Sequence, residues 1–223
     1  MTKELFWQAM IKFAAGVILV GMLVFWPAGT LDYWNGWLFM GILFVPMFLA
    51  GLVLMAKNPE LLKKRLKAKE EQAQQNLVLK LSALMFLAGF VTAGLDFRYA
   101  WLPLPKGVSI GATVVFLLSY ALYAEVLREN TYLSRTIEVQ EGQTVVDTGL
   151  YGIVRHPMYS VTVFLFLSMP LVLGSLYAFF LFLVYPIILA MRIKNEEEVL
   201  EEGLAGYKEY KQKVRYKMIP FIW

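Results

Sequence analysis

Apolar runs of membrane-crossing length recur along this chain, and they decide what it can fold into. A helix needs about 20 apolar residues to cross a bilayer. In hydrocarbon the backbone N–H and C=O groups find no water, so a spanning segment must satisfy them within a helix or a closed barrel. Four runs read as spans: Met10 to about Ala28, Trp34 to Ala56, Leu77 to Leu95, and Gly107 to Leu127. A fifth begins at Ser160 and carries no charge until Arg192 ends it. As one straight helix this run would extend about 50 Å, against about 30 Å of hydrocarbon. It is therefore expected to split near Pro170–Ser175 into a helical hairpin with Gly174-Ser175 at the tip. Pro46 is expected to interrupt the second span, and Pro186 to kink the hairpin's second arm. The expected fold is an all-α integral membrane protein of about six transmembrane helices, four spans plus a C-terminal hairpin.

Composition narrows the function. The chain is 59% hydrophobic, above the roughly 45–50% of soluble domains, and its charges lie in blocks. It contains no cysteine, which excludes disulfides, thiolate metal sites and prenylation of this chain itself. A single histidine excludes a His-cluster metal site, so no metal is expected. The net charge of +4 sits in particular loops and reads as topology rather than nucleic-acid binding. The N-terminus lacks a small-x-small cleavage site and reads as a retained first span, not a signal peptide.

Lys and Arg placement orients the bundle. The segments 57–76 and 128–157 and the tail are basic; the links 29–33 and 96–106 are not. Both termini are thus expected on the cytoplasmic side. Trp26, Tyr33, Trp34 and Trp37 suit the opposite interface, and 96–106 reads as an outer turn. Lys57–Asn76 carries six Lys/Arg, opens on Asn58-Pro59 and places leucines at 61, 62 and 66 on one face. It reads as an amphipathic helix on anionic headgroups. Residues 1–127 form an expected scaffold, and 128–223 the part that carries chemistry, within one membrane domain. Asp147–Tyr159 and the tail from Arg192 then fall on one face, at the two ends of one hairpin.

Asp147–Tyr159, DTGLYGIVRHPMY, is the least generic stretch and holds the only histidine. Pro157 fixes its own φ and biases His156 away from the helical region. The result is a rigid corner between Tyr151 and Tyr159. Gly149 and Gly152 permit close approach of a ligand to backbone. The plainer reading is a helix start with an interfacial histidine and two belt tyrosines. Arg192 and Glu196 are four apart and share a helix face. An arginine fork there suits a carboxylate or phosphate, and a glutamate suits an ammonium group. The plainer reading is a snorkelling arginine paired in a solvated tail. Tyr207-x-x-Tyr210, Arg215 and Ile219-Pro220 read as tail packing.

Taken in order, these motifs resemble the isoprenylcysteine carboxyl methyltransferase family, a relative of the membrane phospholipid N-methyltransferases. The resemblance runs from about Thr136 to Phe221. It rests on Gly-Leu-Tyr151-x-x-x-Arg155-His156-Pro157-x-Tyr159, the apolar hairpin, Arg192-x-x-x-Glu196-Glu197, and Tyr207-x-x-Tyr210 with Pro220. It departs at Val161, where the family usually has glycine, and at Leu204-Ala205-Gly206, where a Phe-Gly pair is absent. The resemblance implies a cytoplasmic S-adenosylmethionine (SAM) pocket closed by a C-terminal helix, with a lipophilic or prenylated substrate entering from the bilayer. It also implies that Gln143, Thr144, Val145, Val146, Tyr151, His156, Pro157, Met158, Tyr159 and Glu196 hold the cofactor. Arg192 would face the methyl acceptor as the substrate-binding and catalytic residue.

The chemistry fits these residue types. A carboxylate acceptor is already a nucleophile, so the protein mainly aligns two groups and excludes water, worth about 7–11 kcal/mol. An amine acceptor would need a base, and Glu197 or His156 could serve. Other readings remain open at this stage: a phospholipid amine methyltransferase, an NADPH-dependent reductase of the sterol-reductase type, and a non-catalytic membrane protein. A transporter fits less well, because the spans hold no chain of charges and no internal repeat is seen. The partners implied are membrane lipids and a lipid-like substrate, with no nucleic acid; the sequence sets no oligomeric state.

Overall fold

The computed structural model describes residues 3–66, 73–133, 137 and 139–223. Its helices are α1 Lys3–Ala28, α2 Trp34–Lys57, α3 Pro59–Leu66, α4 Ala73–Tyr99, α5 Lys106–Glu129, α6 Pro157–Val172, α7 Leu176–Phe182, α8 Tyr185–Gly203 and α9 Tyr207–Lys213. A 3-10 turn covers Gly149–Gly152. No strand occurs among the described residues. The protein is an all-α integral membrane protein. Five segments are long and apolar enough to cross a bilayer: α1, α2, α4, α5 and the stretch Leu176–Gly203. The expected sixth, α6, has 16 residues, about 24 Å, which is short of a full hydrocarbon thickness.

Hydrogen bonds gather the links at one end of the bundle. The Tyr33 hydroxyl donates to the Leu173 carbonyl at 2.5 Å. The Asn35 amide donates to Ser109 Oγ at 2.9 Å and to the Val172 carbonyl at 2.7 Å. The hairpin tip lies at Gly174-Ser175 as expected: Gly174 has φ +79, and Ser175 caps α7 by accepting from the Ala178 N–H. Ser175 Oγ also donates to Asp96 Oδ2 at 2.6 Å. The opposite end collects Lys57, Glu129, the Arg155–Pro157 corner, the charged half of α8 and the tail.

Between the two ends a chain of aromatic rings ties the helices together. Phe39 of α2 meets Phe90 of α4 at 5.5 Å between centroids, and Phe90 meets Phe182 of α7 at 6.0 Å. Phe86 meets Phe182 at 5.4 Å and Phe166 of α6 at 4.9 Å, and Phe166 meets Tyr185 of α8 at 4.7 Å. Such pairs add roughly 0.5–1.5 kcal/mol each beyond burial. Helices α1 and α4 touch through Gly94, where a Cβ would lie 2.6 Å from the Val24 carbonyl oxygen.

Two expectations are corrected, and two are met in more detail. Pro46 lies inside a continuous α2 and does not interrupt it. Near Pro186 the expected kink is present: α7 ends at Phe182 and α8 starts at Tyr185, Leu183 and Val184 keep right-handed helical dihedrals between them, and the proline lies in the first turn of α8, where a missing N–H costs nothing. Asp96 is no outer-loop residue; it sits in α4, is buried, and accepts from Ser175 and from the Leu102 N–H. The Lys57–Asn76 helix is described as α3, ending at Leu66, and the start of α4 from Ala73, with residues 67–72 outside the described residues. Its start is as expected, since the Leu61 N–H bonds Asn58 Oδ1 at 3.1 Å and Leu61 and Leu62 are buried.

Candidate active site

A cleft of about 820 Å³, counting the open solvent at its mouth, lies where α6, α8, α9 and the segment after α5 converge. Local sequence sets each wall. Pro157 occupies the first turn of α6, and His156 takes the cap position at φ −124, ψ 61. The expected rigid corner is there, and it turns the His156 ring toward α8. Arg192 and Glu196 lie one turn apart on α8 and both line the cleft. Gly206, at φ +83, turns the chain from α8 into α9 and brings Tyr207 and Tyr210 over the opening.

Two hydrogen-bonded clusters share the His156 ring. In the first, Glu197, 5% exposed in its side chain, accepts from Arg155 Nε at 2.8 Å and faces His156 Nε2 at 3.2 Å. Lys217 Nζ lies 3.2 Å, and Lys211 Nζ 3.7 Å, from its other oxygen. Arg155 Nη1 donates to the Val214 and Arg215 carbonyls, each at 2.7 Å. The Arg155 and His156 N–H groups donate to the Tyr216 and Lys217 carbonyls at 2.9 and 2.8 Å. The tail is therefore stitched along the corner by backbone as well as charge. In the second cluster the Tyr159 hydroxyl donates to Glu196 and accepts from Arg192 Nε at 2.8 Å. His156 Nδ1 is 3.9 Å from Glu196, and its ring stacks on Tyr159 at 5.7 Å.

Tyrosines form the remaining wall. The Tyr210 hydroxyl donates to the Tyr151 carbonyl at 2.7 Å. The Tyr207 hydroxyl is buried without a hydrogen-bond partner. Burial, and then the Glu197 and Glu196 carboxylates, push the Tyr207 phenol well above the usual tyrosine range, so it is a neutral donor. Burial likewise raises the Tyr151 and Tyr210 phenols. Across the mouth, Lys213 Nζ bonds Asp147 Oδ2 at 2.6 Å and ties the end of α9 to the segment before the 3-10 turn.

Of the residues singled out from sequence, Gln143, Thr144, Val145, Val146, Tyr151, His156, Met158, Tyr159, Arg192 and Glu196 all line this cleft. Pro157 does not; it is buried at the start of α6. Gln143 Oε1 accepts from the Gln140 N–H at 2.9 Å, so part of its side chain closes its own turn. Gly149 is close to a protein carboxylate rather than to the cleft. At φ +51, a Cβ on it would fall 1.6 Å from Glu129 Oε1, and the Leu150 N–H donates to that carboxylate.

Sequence reasoning passed over Asn130, Tyr132, Leu133 and Ile137, and took Tyr207 and Tyr210 for packing only. The two tyrosines do pack, with Leu204 and Val214, and they also line the cleft. Their i, i+3 spacing behind a glycine was the available signal. Thr136, where the resemblance was taken to begin, lies outside the described residues.

Residues 110–202 match the sequence model of the isoprenylcysteine carboxyl methyltransferase (ICMT) family. The match runs through α5 to α8 and stops before the tail tyrosines. It bears out the family resemblance and supports a membrane methyltransferase. The chain is also similar to the Delta(14)-sterol reductase TM7SF2 of Mus musculus, 30% identical over 91 residues. That alignment covers 40% of this chain and only 22% of the reductase.

Proposed function

We propose that this protein is a SAM-dependent methyltransferase acting on a lipid-like acceptor, with residues 128–223 as the catalytic region and 1–127 as its membrane scaffold. The observation that carries this reading is one cleft, at one end of an apolar bundle, that joins Glu196, His156 and five tyrosines to Arg192. These residues fit the cofactor. The electron-rich rings of Tyr151, Tyr159, Tyr207 and Tyr210 suit a sulfonium, Glu196 suits an ammonium, and the Tyr207 hydroxyl is a donor still to be matched. Bound there, SAM supplies a methyl group on a positively charged sulfur. Arg192 holds and aligns the acceptor, and α9, drawn down by Lys213–Asp147, keeps water out.

The acceptor is read as a carboxylate, as in isoprenylcysteine carboxyl O-methylation. An amine would need a base to take its proton, and the candidates here are engaged. Glu197 is surrounded by Arg155 and Lys217, and it holds the His156 ring at 3.2 Å. A carboxylate needs no base, and the Arg192 fork matches it. Placement of the basic segments supports a cytoplasmic site and termini, with the acceptor entering from the bilayer.

The similarity to a sterol reductase keeps a second reading, an NADPH-dependent reductase. The 2′-phosphate of NADPH calls for basic groups. Arg155 is committed to Glu197 and two carbonyls, so a 2′-phosphate in this cleft would call on Arg192, the same guanidinium that the carboxylate reading uses.

The test supplies methyl-labelled SAM to the detergent-purified protein with an S-farnesylated cysteine or with phosphatidylethanolamine. Base-labile label on the prenylcysteine is expected, because esters hydrolyse in alkali. Base-stable label confined to the phospholipid would replace the carboxylate with an amine. No transfer, together with NADPH oxidation on a sterol, would put the reductase in its place.

A further inference from the structure

A second cavity shares no lining residue with the cleft. It is a groove of about 660 Å³ between α1, α2 and α3. Its walls are Ala9, Met10 and Phe13 of α1, Met47, Phe48, Gly51, Leu52 and Met55 of α2, and the buried or half-buried Leu62 and Leu66 of α3. The one charged residue among them is Lys12. Its ammonium donates to the Leu66 carbonyl at 2.6 Å, at the C-terminal end of α3, where the helix dipole favours a cation. An ammonium carries three donors, so this bond leaves two. Lys57 and Lys63 are exposed on the elements that frame the groove; Glu60, also exposed, is the acid on α3. Lys12 stands two residues after Met10, at the start of the apolar part of α1, and Phe48 and Gly51 lie farther along α2 from its charged end at Lys57.

We propose that this groove is a binding site for one anionic phospholipid of the surrounding bilayer. One acyl chain lies between α1 and α2, and the phosphate is held at Lys12 beneath α3. Charge complementarity selects the occupant: the apolar walls accept any chain, and the lysine at the mouth, with Lys57 and Lys63 beside it, favours an anionic head over a zwitterionic one. Phe13 meets Phe44 edge-on at 5.7 Å and Phe48 at a tilt at 5.3 Å, and forms the floor. The lipid then braces α3, which otherwise holds the groove chiefly through Leu62 and Leu66. This site stands apart from the methyltransferase reading.

Native mass spectrometry of the full-length protein, with phosphatidylglycerol or phosphatidylcholine of identical chains, tests it. One phosphatidylglycerol retained per chain is expected, in clear preference to phosphatidylcholine. Lys12→Ala should weaken that retention about fivefold, the usual effect of one basic residue at a membrane surface. Gly51→Leu should abolish it, because a Cβ at Gly51 meets no protein atom within 4 Å and the added side chain fills the groove. Equal retention of the two lipids by the unmodified protein would overturn the proposal without recourse to a variant. So would retention that survives both substitutions, or displacement of the lipid by a farnesylated cysteine, which would give the groove to the substrate's isoprenoid instead.

Discussion

Glu197→Gln is expected to destabilise the protein by about 3–5 kcal/mol, the usual result of removing one partner of a buried ion pair. Thermal unfolding of the detergent-purified protein measures it. Glu197 is almost fully enclosed and holds the Arg155 guanidinium and the His156 ring directly. Glutamine keeps the shape and an oxygen that can accept from Arg155 Nε, but it withdraws the countercharge from a guanidinium 4% exposed in its side chain, whose other partners are the neutral Val214 and Arg215 carbonyls. Those carbonyls belong to the tail, so the loss should also loosen the strand-like run along Arg155 and His156. A shift no larger than that of a surface substitution, about 0.5 kcal/mol, would show that the cluster is not the hub of this end of the fold.

Arg192→Ala is expected to lower methyl transfer by roughly 10²-fold or more while SAM binding persists, since misplacing an acceptor by an ångström costs about that much. Arg192→Lys should recover little, because an ammonium is a point charge without the two-pronged geometry of guanidinium. Parallel rate and cofactor-binding measurements separate the outcomes. Loss of both together would mean that Arg192 acts through Tyr159 on Glu196, as a positioning residue of the cofactor wall.

The spans were legible because hydropathy and length set them. The corner at His156-Pro157 was legible because proline acts on its immediate neighbour. Arg192 and Glu196 were legible as a pair because helix geometry relates residues four apart. What stayed hidden depends on residues distant in sequence. Glu197 reads as one of three consecutive glutamates; only folding sets it against Arg155 and His156 on one side and Lys217 on the other. Gly149 suggested space for a ligand, yet its neighbour is Glu129, twenty positions earlier on α5. Asp96 was taken for a loop residue because a charge after an apolar run usually ends a span. Its partner Ser175, across the bundle, makes it a buried link.

Calorimetric titration of the detergent-purified protein with SAM, and separately with NADPH, tests the central reading most directly, using the unmodified chain and Glu196→Ala. The account predicts SAM binding in the micromolar range that is lost in Glu196→Ala, with no NADPH binding. Clear binding of NADPH with none of SAM, by protein shown to be folded, would contradict it and make the cleft a reductase site.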